Sequence, residues 1–201
     1  SISYVFSQES ERNNASFSLG DGISFSFNEG DYEFNIYGFI KPTYIYNDEK
    51  IYTADGEYSN VFRQFKSQNS NLFFTGFAKD EKLSFTIQMD YSSSNPLVEA
   101  FIGYHFNEKT TLYFGQMQVN HNNLEMTYNE DRLRFTHRGI LSQTYTDNGE
   151  EFGLFFETSF GKSIIFKPTL AITSGDGKNS FGDDSRAVSY THLTLPTMDS
   201  V

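Results

Sequence analysis

Between Phe34 and Thr173 the chain repeats one pattern: ribbons of about ten residues in which every second side chain is apolar and those between are polar. The cleanest is Lys82-Leu83-Ser84-Phe85-Thr86-Ile87-Gln88-Met89-Asp90-Tyr91, apolar or aromatic at every odd position and polar at every even one. Successive side chains of a strand point to opposite faces, so each ribbon has one face that prefers an apolar surrounding and one that prefers water. Two architectures satisfy such ribbons. A soluble sandwich buries the apolar face under a second sheet, and a membrane barrel turns it to lipid.

Composition narrows the choice without making it. Apolar residues are 37% of the 201, which is modest for a chain with a filled core, and aromatics reach 17% with 22 Phe, 13 Tyr and no Trp. No run of about 18 apolar residues is present, which excludes a transmembrane helix. A formal net charge of −11 argues against a nucleic-acid partner and suits solvated loops and a wet lumen. Cysteine is absent, so there is neither a disulfide framework nor a thiolate metal site.

Seven ribbons are predicted, at about 32–46, 67–78, 82–91, 97–106, 110–119, 151–160 and 163–173. Pro42 lacks an N–H and marks an edge or a bulge in the first. Tight turns are expected at Lys79-Asp80-Glu81, Asn107-Glu108-Lys109 and Gly161-Lys162, with longer connections at 47–66, 92–96, 120–150 and from Ser174 onward. Short and long connections therefore alternate in chain order, as they do in a spanning barrel.

The two ends read differently. Ser1–Ser7 has the look of the tail of a secretory signal, with Gln8 opening the mature chain, and residues 8–31 form a polar N-terminal segment with a weak strand at Gly22–Phe27. The barrel portion is placed at 32–186. The stretch Val188-Ser189-Tyr190-Thr191-His192-Leu193-Thr194-Leu195-Pro196-Thr197 resembles the conceptual translation of a sequencing adapter, so 187–201 is expected to be a non-native tail without structure or chemistry.

Three segments carry a family likeness: Gly38-Phe39-Ile40-Lys41-Pro42-Thr43-Tyr44, Leu112-Tyr113-Phe114-Gly115-Gln116-Met117 and Ser174-Gly175-Asp176-Gly177-Lys178-Asn179. In these the chain resembles the phosphate-selective porin O and P family over about 31–186. The resemblance implies an all-β antiparallel meander forming about half of an unclosed sixteen-stranded transmembrane barrel, a homotrimer in outer-membrane lipid, and passive diffusion of small hydrophilic solutes or anions such as phosphate. The family's arginines at the start of the second strand are absent. Ser67-Gln68-Asn69-Ser70 stands there, with only Arg63 and Lys66 upstream, which weighs against phosphate selectivity.

A channel performs no reaction, so neither catalytic residue, metal nor cofactor is expected; its function lies in its lining. The alternation points Glu33, Lys41, Lys82, Asp90, Glu99, Glu151, Glu157 and Lys167 inward, five acids against three bases. Arg132, Arg134 and Arg138 in the longest connection are the candidate constriction, where they would face the acidic wall. His121 and His137 with Glu125 lack metal-ligand spacing, and Asp176, Asp183 and Asp184 lack the twelve-position calcium pattern with its terminal Glu. Nothing places Glu99 and Glu157 at glycosidase separation. The competing readings are a secreted β-sandwich or jelly roll that binds carbohydrate and a barrel enzyme needing a converging Ser/His/Asp set.

Overall fold

A computed structural model of the chain describes residues 14–78, 80–119, 149–161 and 165–180, and the backbone alone of 188–194. Ten antiparallel strands lie in chain order in one sheet: β1 (Asn14–Ser18), β2 (Gly22–Phe27), β3 (Tyr32–Thr53), β4 (Gly56–Ala78), β5 (Leu83–Asp90), β6 (Leu97–Asn107), β7 (Thr110–Gln118), β8 (Glu150–Thr158), β9 (Lys167–Thr173) and β10 (Val188–Thr194). It is an all-β meander, and among the described residues β1 and β10 do not pair, so the sheet is open. The signal-like Ser1–Ser7, Arg132, Arg134, Arg138, His121, Glu125, His137, Asp183 and Asp184 lie outside the described residues.

The register turns the alternation into continuous rows. Phe34, Phe85, Ile102, Phe114, Leu154 and Ile172 face one another in turn from β3 to β9, with Gly76 of β4 between the first two. Beside it runs Tyr32, Ala78, Leu83, Tyr104, Leu112, Phe156 and Leu170. The opposite face carries the row Glu33, Phe77, Ser84, Gly103, Tyr113, Phe155 and Ala171. A one-residue slip would exchange the two faces completely, so the apolar pattern fixes the pairing.

Three differences from the sequence reading have physical causes. The expected connection 47–66 is ladder: β3 and β4 stay paired from Pro42↔Ser67 out to Thr53↔Gly56, turning through Ala54 and Asp55. Beyond the last β4–β5 pair, Asn71↔Asp90, no third strand joins this arm among the described residues, so neither of its faces imposes an alternation. Its stability comes from cross-strand pairs: Tyr44 against Phe65 with ring centroids 4.8 Å apart, Arg63 at 5.5 Å from the Tyr46 ring, and Lys50–Glu57 at 2.7 Å. Second, the polar N-terminal segment supplies β1 as well as β2, paired from Asn14↔Ser26 to Ser18↔Gly22. Third, Val188–Thr194 forms a strand on β9 where no structure was expected. Its Val188, Tyr190, Thr191 and Thr194 are residue types that suit a ladder wherever an edge is offered.

Pro42 sits at a bulge, where the register slips between Ile40 and Pro42. Two of the expected tight turns show their geometry, with Asp80 (φ 53°) and Glu81 (φ 64°) left-handed and the Lys109 N–H donating to Asn107 Oδ1 at 2.9 Å, while Lys162 of the third lies outside the described residues. By strand order, one end of the sheet carries the connections 28–31, 79–82, 108–109 and 159–166, and the other carries 19–21, 54–55, 91–96, 119–149 and 174–187.

Gly115 is the tightest backbone approach in β7. Its φ of +137° is closed to L side chains, and a Cβ there would meet the Ala100 carbonyl oxygen and lie 2.6 Å from Phe101 Cα. Gly115→Val is expected to destabilise by at least about 1–3 kcal/mol from backbone strain, read as a lowered denaturant midpoint with an unchanged slope.

Candidate functional site

The polar face of β4–β9 holds the candidate residues. Asp90, Glu99, Glu151 and Glu157 all lie on it, as the alternation predicts. Lys167 opens β9 on the same face, Lys82 falls in the turn before β5, and Lys41 is the bulged residue of β3. The five acids and three bases therefore do not form one ring. The acids concentrate on the ladder, and two of the bases sit at its interruptions.

Each acid has a local role. Asp90 Oδ1 accepts the backbone N–H of Ser70 at 3.1 Å and of Ser92 at 2.9 Å, tying the 91–96 connection to β4. Glu99 Oε1 accepts the Gln118 N–H at 3.1 Å across to β7. Glu151 is fully buried; its Oε2 accepts a hydrogen bond from the Thr173 hydroxyl, and its Oε1 has no hydrogen-bond partner among the described residues. Glu157 stands directly opposite Thr111 in the register. Beside these acids the wall is packed: Phe155, Val119 and Ala171 are buried, with Tyr113 and Met117 against them.

A return segment, Ser174–Ser180, closes over the end of β6 and β7. The Asn179 N–H donates to Gln116 Oε1 at 2.7 Å, Asn179 Nδ2 to the Leu97 carbonyl at 3.2 Å, and Gln116 Nε2 to the Val98 carbonyl at 2.8 Å. Gln116 is thereby fully buried. The sequence reading of 174–179 as a loop motif contained no hint of this, because the contact joins residues more than sixty apart.

On the opposite face the large side chains stand free. Ile102 is 57% exposed, Phe114 48%, Ile172 47% and Leu154 43%. On the same face Ile87, Phe156, Phe166 and Leu170 are also exposed, and Phe74, Phe85 and Ala100 are half-buried. Five phenylalanines, Phe25, Phe27, Phe34, Phe74 and Phe85, form a chain of ring contacts with centroids 6.0–6.4 Å apart. Among the described residues no second sheet covers this face. No helix of the described residues is long and apolar enough to cross a membrane.

Neither a protein-family profile nor any curated protein matches the chain.

Proposed function

We propose that this chain is a wall of an outer-membrane porin, a passive channel for small hydrophilic solutes, with lipid against the Phe34–Ile172 row and water against the acidic face. One observation carries the reading: the large side chains Ile102, Phe114, Leu154 and Ile172 stay exposed in register across four neighbouring strands, β6 to β9. In water each such side chain forgoes about 1.5–3 kcal/mol of burial, a deficit that lipid contact removes. The two connections with the most residues, 119–149 and 174–187, both fall at one end of the sheet and support the same reading. In lipid an unpaired strand edge leaves backbone groups unsatisfied, so closure must pair the edges of β1 and β10, with each other or with further strands. The homotrimer and the preference for anions remain part of this proposal through the porin resemblance.

Membrane fractionation of cells making the intact protein tests it directly. The protein is expected in the detergent-soluble membrane fraction; release into aqueous buffer would sink the porin reading and leave the carbohydrate-binding sandwich. In planar bilayers the purified protein is expected to give discrete conductance steps. Replacing Arg132, Arg134 and Arg138 together by Gln is expected to move the reversal potential toward cation selectivity, since the remaining wall is acidic. An unchanged reversal potential would remove those arginines from the constriction.

A further inference from the structure

Three hydroxyl- and imidazole-bearing residues on neighbouring strands meet end to end on the polar face. Ser84 Oγ of β5 lies 2.9 Å from His105 Nε2 of β6, and His105 Nδ1 lies 3.0 Å from Thr111 Oγ1 of β7. With the ring proton on Nδ1, His105 donates to Thr111 and its Nε2 accepts the proton of the Ser84 hydroxyl. Glu157 of β8 is directly opposite Thr111 in the register. Nucleophile, base and base-orienting group thus stand at the separations that serine activation requires, with a threonine where hydrolases place a carboxylate.

The alignment depends on a glycine. Ser84 pairs with Gly103, not with His105, and reaches the imidazole along the diagonal. A Cβ at Gly103 would sit 2.6 Å from Ser84 Oγ and 2.8 Å from Tyr113 Cε1, so any other residue would displace the hydroxyl or the ring. Ser84 and His105 are half-buried, and Phe77 and Tyr113 share the row of Ser84 as apolar neighbours for a small acyl or aryl group.

We propose that Ser84 is an activated nucleophile that accepts acyl groups from small, activated carboxylic esters. Ser84 Oγ bonds to the ester carbonyl carbon while its proton passes to His105 Nε2. The C–O bond to the alcohol then breaks and the alcohol leaves with that proton. Water attacks the acyl-serine, gives one proton to His105 Nε2, and releases the acid; the proton returns to Ser84 Oγ. The net change is ester plus water to acid plus alcohol. Positioned general-base assistance contributes about 10²–10⁴-fold. The backbone of β5 is engaged by β4 and β6, so no spare N–H pair forms an oxyanion hole, and covalent labelling is a sharper readout than turnover.

The site does not depend on what surrounds the sheet, so its test is separate from that of the channel. The intact protein in detergent is treated with a fluorophosphonate, whose fluoride leaves as Ser84 Oγ bonds to phosphorus, and the adduct is mapped by peptide mass spectrometry. Labelling at Ser84 is expected at least 100-fold above the other serines, absent in Ser84→Ala and reduced at least 100-fold in His105→Gln. Thr111→Val is expected to slow labelling about tenfold, with Thr111→Ser restoring it, which marks Thr111 as a positioning residue. Because the chain has no cysteine, Ser84→Cys carries a lone thiol. Its alkylation by iodoacetamide is expected to slow when His105→Gln is added. Labelling at Ser84 no faster than elsewhere, or indifferent to His105→Gln in both the serine and the cysteine protein, would overturn the proposal.

Discussion

Ile102→Arg is expected to lower the stability of the protein in lipid vesicles by about 2–4 kcal/mol, the penalty for a guanidinium on the lipid face near the bilayer midplane. Ile102 is in the central apolar row, 57% exposed, with Phe85 and Phe114 on either side. The same substitution on a water-facing sheet replaces an exposed aliphatic group with a hydrated one and leaves stability within about 0.5 kcal/mol. The two surroundings therefore give effects that differ several-fold, and a urea titration of the folded fraction in vesicles separates them. A loss smaller than about 1 kcal/mol would remove lipid from that face. Ile87→Arg and Leu154→Arg, on the same face of β5 and β8, are the natural companions.

Phe155→Ala is expected to cost about 3–5 kcal/mol, the range for emptying a fully enclosed phenylalanine site. Phe155 is fully buried, lies in register between Tyr113 and Ala171, and packs in the cluster with Val119. The contrast with its neighbours makes the prediction specific. Phe156, one residue along, faces the other way and is exposed, so Phe156→Ala removes surface that is already uncovered. Equilibrium unfolding of both variants should give a difference of at least about 2 kcal/mol; equal losses would show that the two faces are equally packed. The polar face is thus the better packed of the two, although the apolar residues are concentrated on the other.

Much of this architecture was legible in the chain itself. The predicted ribbons at 82–91, 97–106, 110–119 and 151–160 match β5 to β8 to within one or two residues, because each of these strands has one apolar and one polar face and short turns bound most of them. The arm at 47–66 was missed for the converse reason: with no third strand among the described residues, Asp48, Val61 and Arg63 share a face and no period emerges. The shared face of the acids follows from parity alone, so Glu99, Glu151 and Glu157 could be assigned to one side of the sheet without a structure. Contacts set by register could not. Ser84 reaches His105 on a diagonal, and Asn179 reaches Gln116 across a return segment; neither distance is encoded in local spacing. Arg132, Arg134 and Arg138 stand on sequence reasoning alone.

The arm of β3 and β4 has a further consequence. Its backbone ladder runs past the end of β5, and among the described residues only its own partner strand shelters it. A two-stranded ribbon of this kind is only marginally stable by itself. It draws its shape from the clamped base near Ile40 and Ser70, much as a flagpole depends on its socket. Whatever is grafted at Ala54–Asp55 would be held well clear of the sheet, and the sheet would carry it without rearranging.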